Sequence, residues 1–327
     1  MYNLSDIRDI HLEVTSKCQA RCPMCPRRIN GGMLNPLLEL HEIDLETFKD
    51  WFPIKFIQQL DSLFMCGNYG DPIIAKDCLE IFEYLAEVNP TIHLSMHTNG
   101  SARDPEWWER LAKTVDRVVF GIDGLADTHE LYRINTSFDK IIENATAFIN
   151  AGGRAEWHML AFEHNEHQIE QCQILSERIG FVEFKVKHTS RFHENQFNVL
   201  DDNGKTTHVL KPTSKSINIS KKIQIVKEEP KQTISCKAKH YNQIYVGADG
   251  TLTPCCWLDM NFMWHRHDNR IDYMDKIEAF PNLNKMLLED IFDSGYFNKI
   301  EETWNVSPLK ECSKQCGKLN KLQEQFC

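Results

Sequence analysis

The sequence predicts an α/β fold with parallel strands. Six short β-like runs alternate with amphipathic helical stretches over residues 1–190. Each run ends in a Gly, Asn or Asp turn, and the residues richest in chemistry cluster at those ends. Alternation of this kind implies helical crossovers between parallel neighbours.

The β-like runs are Ile7–Val14, Ser62–Met65, Thr91–His97, Arg117–Ile122, Arg154–Ala161 and Val182–His188. Helical patterns fill Asp44–Leu60, Lys76–Val88, Pro105–Lys113, Phe138–Ala151 and Asn165–Ile179. Pro105 suits a first helical position, and Gly180 suits a helix stop. Six units are too few for a closed eight-fold barrel. Ligand-binding residues of such folds sit at the C-terminal ends of strands, so those ends are read first for function.

With 327 residues, about two domains are expected. A composition of 42% hydrophobic and 26% charged residues is that of a globular protein. No apolar run is long enough to span a bilayer, and the N-terminus lacks a secretion signal, so a cytoplasmic location with no membrane partner is expected. In a reducing compartment, the twelve cysteines are metal ligands or small buried hydrophobes before they are disulfides. A net charge of -10 argues against a nucleic-acid partner.

Just past the first run stand Cys18, Cys22 and Cys25, spaced C-x3-C-x2-C. Thiolates are the usual ligands of iron–sulfur clusters. No fourth cysteine follows before Cys66, so three ligands on a four-iron cube leave one iron open. The alternatives are a zinc knuckle or ordinary core cysteines. The second run ends in Cys66, Gly67, Asn68, Tyr69, Gly70, Asp71 and Pro72, where two glycines allow backbone to approach a ligand. The third ends in His97, Thr98, Asn99 and Gly100, and the fourth in Gly121, Ile122, Asp123 and Gly124, followed by Tyr132 and Arg133. Each alone reads as a turn, and Arg133 alone reads equally as a surface ion pair. Cys66 and Cys78 have apolar neighbours and read as core thiols. Trp107 and Trp108 fall at a helix start and read as packing.

The triplet resembles the signature of the radical S-adenosylmethionine (radical SAM) superfamily, and the strand-end motifs resemble that family's in order. The resemblance implies a partial (βα)6 TIM-like barrel. It implies that Cys18, Cys22 and Cys25 hold a [4Fe-4S] cluster that chelates SAM. It further implies that Gly67, Asn68, Tyr69, Gly70 and Asp71 hold the amino end of SAM. Thr98, Asn99, Asp123 and Arg133 are then expected near its ribose or carboxylate. Three departures stand out: Asp71 for the usual Glu, Gly121 for Ser, and Met24 for an aromatic beside adenine.

Residues 191–232 are polar and lack apolar periodicity. Between 203 and 231, seven lysines (205, 211, 215, 221, 222, 227 and 231) face Glu228 and Glu229, a local +5. This reads as a solvated linker, or as an arm for an anionic partner. From 233 to 327 come Cys236, a hairpin signal at Asp249 and Gly250, then Cys255, Cys256, Cys312, Cys316 and Cys327. The C-x13-G-x4-C stretch resembles the auxiliary iron–sulfur domains called SPASM and twitch. That resemblance implies one auxiliary cluster, of the [4Fe-4S] kind, on Cys236, Cys255, Cys312 and Cys316 in a small β-hairpin and helix domain. A four-cysteine zinc site has the same ligand count. Cys256 and Cys327 are left unassigned, and His265, His267 and Asp268 read as a polar loop.

The family's chemistry is reductive cleavage of SAM and abstraction of a hydrogen from a substrate C–H bond. An oxidoreductase is therefore expected, fed electrons by a flavodoxin or ferredoxin. Its favoured action is to oxidise or cross-link a peptide or protein side chain. The second option is a dehydrogenase or cyclase acting on a small molecule, an aminocyclitol or a nucleotide. A non-catalytic zinc- or cluster-bearing binding protein is the option from another class. With a first strand expected by residue 7, no leader-binding domain is expected ahead of it, which narrows the lead of the peptide option.

Overall fold

The computed structural model describes residues 3–189, 191–192, 195–215, 233–259 and 280–317. Six strands form the frame: β1 (Asp9–Leu12), β2 (Ser62–Met65), β3 (His93–Thr98), β4 (Arg117–Gly121), β5 (Ala155–Ala161) and β6 (Glu183–His188). They lie in chain order, every neighbouring pair parallel. The alternation predicts this α/β frame of parallel neighbours, and its layout is the partial barrel that the resemblance implies.

The crossover helices follow the sequence signals closely. Asp104 accepts from the Trp107 N–H at 2.9 Å and caps α4 (Pro105–Leu111), with the proline in its first turn. Gly180, at φ +105°, ends α7 (Ile169–Ile179). One helix differs. The stretch read as Asp44–Leu60 is broken into Leu45–Trp51 and Ile54–Ile57. Pro53 between them has no N–H for the helical ladder and its ring obstructs the preceding turn.

One face of the sheet is packed beneath helices. Ile10, Leu12, Leu63, Met65, Leu94, Met96, Val118 and Phe120 are at most 1% exposed. Trp108 on α4 lies 5.2 Å from Phe120 and 6.4 Å from Phe148, ring to ring, so the tryptophan pair contributes packing as expected. The opposite face is polar and aromatic. Tyr245, His11, Phe64, His97 and His158 form a row of ring contacts at 4.8–5.7 Å.

Two regions depart from the linear reading. Within the supposed linker, β7 (Phe197–Leu200) and β8 (Thr206–Leu210) pair antiparallel. Their alternation is only four or five residues long, so the polar composition hid it. The second region is the C-terminal hairpin. Strands β9 (Gln243–Val246) and β10 (Leu252–Thr253) form about Gly250 as expected, but β9 also pairs parallel to β1. The sheet order is therefore β10-β9-β1-β2-β3-β4-β5-β6. Lysines 221, 222, 227 and 231 lie outside the described residues. No helix among the described residues is long and apolar enough to cross a membrane.

Replacing Trp108 with Ala deletes a fully buried ring between two phenylalanines. It is expected to cost about 3–5 kcal/mol, measured by urea denaturation.

Candidate active site

Beyond β1 the chain folds over the C-terminal end of the sheet. Cys18, Cys22 and Cys25 all line one cavity of about 410 Å3. The ends of four other strands line it too, through Gly67, Asn99, Asp123 and Lys187 among others. The structure thus brings the triplet together with the second, third and fourth strand-end motifs.

The cysteine loop is held by a residue the sequence reading missed, Arg27. Its guanidinium is buried and donates to the carbonyls of Ser16, Cys18 and Tyr69. That ties the triplet to the loop after β2. Other donors face the sulfurs: Asn99 Nδ2 lies 3.7 Å from Cys18 Sγ, and Arg133 Nη1 lies 3.9 Å from Cys22 Sγ. Burial pushes the Cys22 thiol up to about 11 and the Cys18 thiol above its ordinary value as well. Thiols so placed ionise at neutral pH when a metal takes the sulfur. Among the described residues, only Glu156, His158 and Glu183 bring three metal-type donor atoms within 4.8 Å of one another. A single tetrahedral zinc needs thiolates about 3.8 Å apart, from its bond length of ~2.3 Å. The wider spread of the triplet, its soft donors and the cavity beside it suit a cluster better than one ion.

At the end of β2, the carboxylate of Asp71 is buried and fully engaged. It accepts from the Thr98 hydroxyl (2.7 Å), the Asn99 N–H (2.7 Å) and Asn99 Nδ2 (2.6 Å). It therefore fastens the second strand end to the third, so Thr98 and Asn99 are positioned by Asp71. Gly70 is required sterically, since a Cβ there would sit 1.6 Å from the Thr15 carbonyl oxygen.

Asp123 behaves in the same way. Its oxygens accept from the Leu160 N–H at 2.6 Å and from Arg133 Nε at 2.5 Å. Arg133 is thus half of a buried ion pair, and Asp123 holds its charge firmly in place. This accounts for Gly121, because a Cβ there would come within 2.7 Å of Arg133 Nη2. The guanidinium occupies the space a serine would need.

Two expectations are corrected. Met24 does not line the cavity. It is buried with Tyr132, Phe162, Phe192, Val199 and Leu210, where the β7–β8 hairpin packs on the cysteine loop. Asp202 of that hairpin's turn pairs with Arg21 at 2.6 Å. Cys66, read as a core thiol, lines the cavity, whereas Cys78 is in the core as expected. Trp257, Lys187 and Arg191 also line the cavity and carry no sequence motif.

The C-terminal cysteines converge as well. Cys312 and Cys316 are one turn apart on the helix Lys310–Cys316. The Ser235 N–H donates to the Cys316 carbonyl at 2.9 Å, which brings Cys236 alongside. The Cys236 thiol hydrogen-bonds the Cys316 sulfur, which raises the first and lowers the second. Burial and the nearby Cys255 and Cys316 push Cys312 up to about 12. Cys256 offers its carbonyl to Asn68 at 2.9 Å. Cys327, His265, His267 and Asp268 lie outside the described residues.

A buried acid joins the two regions. Glu13, 1% exposed, accepts from the N–H groups of Tyr69 and Gly70, both at 2.7 Å, and from the Tyr245 hydroxyl at 2.5 Å. Asn68 extends the network at 3.2 Å from the same hydroxyl. The sequence reading missed Glu13; a charged residue inside the β-like run Ile7–Val14 is the signal that could have found it. Burial raises the Glu13 carboxyl above its ordinary range, against the opposing pull of its hydrogen bonds. An acid whose folded-state affinity for protons is raised contributes most below its unfolded pKa and loses that contribution as pH rises. Glu13→Gln is therefore expected to gain stability relative to the wild type between about pH 4.5 and 7, read from urea denaturation at each pH.

Comparison with known proteins accords with this arrangement. The family model for the radical SAM superfamily matches residues 12–172, and that for SPASM, an iron–sulfur cluster-binding domain, matches residues 236–317. The second match begins on Cys236 and ends one residue past Cys316. Among solved structures, Streptococcus suis SuiB bound to S-adenosylmethionine aligns with a TM-score of 0.55 at 16% identity. That alignment covers 89% of this chain and 65% of SuiB, so the chain spans just under two thirds of that relative. SuiB bound to its precursor peptide SuiA aligns at 0.54 and 15% identity, covering 88% and 64%. The anSMEcpe protein with bound AdoMet and the Cp18Cys peptide aligns at 0.54 and 16% identity, covering 91% and 82%. At such identities the likeness is one of fold. Taken with the two family matches and the converging cysteines, the chain belongs to the radical SAM superfamily, carries a C-terminal SPASM domain, and uses iron–sulfur clusters and SAM as cofactors.

Proposed function

We propose that the protein is an oxidoreductase that cleaves SAM reductively and takes a hydrogen atom from a C–H bond of a peptide or protein side chain. The observation that carries the reading is the single cavity on which the triplet and three strand-end motifs converge. In this reading Cys18, Cys22 and Cys25 hold the SAM-binding [4Fe-4S] cluster. Cys236, Cys255, Cys312 and Cys316 hold one auxiliary cluster. When bound, the reduced first cluster supplies the electron for SAM cleavage, and the cofactor's 5′-deoxyadenosyl group receives the substrate hydrogen.

The chain's own residues have distinct tasks. Arg27 fixes the cysteine loop, while Asn99 and Arg133 direct N–H groups at its sulfurs. Such donors favour the electron-rich sulfur and tune a cluster's potential. Gly67 to Asp71 present backbone to the amino end of SAM, with Glu13 setting that loop's conformation from behind. Asp71 positions Thr98 and Asn99 for the rest of the cofactor. Asp123 acts through Arg133 and does not itself face a ribose, because both its oxygens are engaged. A flavodoxin or ferredoxin is the electron donor. Residues 1–190 form the catalytic barrel, 191–232 a connecting segment, and 233–327 the auxiliary domain.

A peptide substrate is favoured because SuiB and anSMEcpe have each been captured with a peptide bound. Anaerobic reconstitution tests the cluster assignment. The wild type is expected to carry roughly eight irons, and Cys18→Ala or Cys312→Ala roughly four. Cys18→Ala should lose reductive SAM cleavage altogether. Zinc in place of iron, or undiminished cleavage in Cys18→Ala, would overturn the reading. Transfer of deuterium from side-chain-labelled peptides into 5′-deoxyadenosine tests the substrate class.

A further inference from the structure

We propose that the wall of the cavity built by β6 and the residues just after it binds an anionic group on the substrate, held by Lys187 and Arg191. This names a substrate class for the reaction proposed above and rests on that reading.

The first support is the set of fixed charges around the cavity. Among the described residues four cations line it, Arg27, Arg133, Lys187 and Arg191, against two anions, Asp71 and Asp123. Both anions are turned onto partners within the protein. Asp71 is engaged by Thr98 and Asn99, and Asp123 by Arg133 and Leu160. Neither offers a dock for a cationic substrate.

The second support is where the cations stand. Lys187 lies at the C-terminal end of β6, two strands from β4, with His158 of β5 between. Arg191 follows four residues later, and its Nη1 donates to the Met24 carbonyl at 2.9 Å. That bond anchors the guanidinium beside the cysteine loop, at the same rim. Deeper on this face, Glu156 and Glu183 are paired with Arg117 (3.4 Å) and Lys185 (2.9 Å). Those cations sit against the Glu156, His158 and Glu183 group, in which His158 Nε2 lies 3.3 Å from Glu156 Oε2.

The third support is the state of the histidines. Burial, reinforced by the charge of Lys187, holds His97 and His158 neutral, the latter at about 4. These imidazoles add no charge of their own to the wall and are available as hydrogen-bond donors. A cleft lined by one sign of charge concentrates ligands of the other. Lysine supplies a point charge and arginine a planar fork, both suited to carboxylate or phosphate.

The test uses the reconstituted, SAM-loaded full chain at low ionic strength. Isothermal titration is run with three probes: a capped tetraglutamate peptide, inorganic pyrophosphate and a capped tetralysine peptide. The wild type is expected to bind at least one anionic probe and to bind tetralysine at least tenfold more weakly. Preference for the peptide identifies a carboxylate as the recognised group, and preference for pyrophosphate identifies a phosphate. Lys187→Gln and Arg191→Gln should each weaken binding about tenfold. Lys187→Arg should stay within a few-fold of wild type, which separates loss of charge from loss of fold. The proposal is overturned if neither anion binds, if tetralysine binds as well, or if the Gln variants bind anions like the wild type. Substrate-free SAM cleavage by the wild type is measured alongside. Its absence would sink the radical SAM function while leaving the anion-binding result to stand or fall separately.

Discussion

The buried carboxylate of Glu13 is the constraint on which much of the rest depends. Placing an acid in the interior is unfavourable unless several donors converge on it. Here they come from two distant parts of the chain: the backbone of the loop after β2, and Tyr245 on β9. The loop cannot adopt its shape without an acceptor behind it. The acceptor in turn is incompletely satisfied without the C-terminal strand. One side chain thereby joins the SAM loop to the segment bearing the second cysteine set.

The same logic recurs around the cavity. Arg27 gathers three carbonyls, Asp71 gathers donors from the next strand end, and Asp123 holds Arg133. Each is a buried charge with its partners supplied by neighbouring strand ends. The mouth of the barrel is thus a ring of interlocked polar groups rather than a set of loops held by apolar packing. Apolar packing enters where the β7–β8 hairpin covers Met24 and the cysteine loop, and where Leu38 packs on Tyr69. A ring of this kind presets the geometry of the sulfurs and of the backbone beside them, and preorganisation is what a positioned cofactor requires.

The sequence made some of this legible and hid the rest for identifiable reasons. The six βα units were readable because hydrophobic periodicity and turn chemistry agree there, and Pro105 and Gly180 mark helix ends directly. The triplet was readable because its spacing carries meaning without any other residue. Pro53 was visible but was overridden by the apolar pattern on either side. The hairpin Phe197–Leu210 was hidden because its outward positions are polar and its inward ones few. The hydrogen-bond partners of Asp71 and Asp123 were hidden for a different cause. A motif names the residue, but only the fold tells whether its oxygens face the ligand or their neighbours. Lys187, Arg191 and Trp257 belong to no motif, so only the fold places them at the cavity.

The pairing of β9 with β1 has a consequence for how the protein is made. Asp9 and Gln243, side-chain partners across that pair, are 234 residues apart. At ~5–20 residues per second of synthesis, the later strand emerges roughly ten seconds or more after the earlier one. Until then β1 has one open edge, Glu13 lacks its tyrosine, and the cysteine loop just beyond stands on an unfinished support. The edge of the sheet beside the cysteine loop is therefore closed by a strand made long after the loop itself, and the loop's support is completed only then.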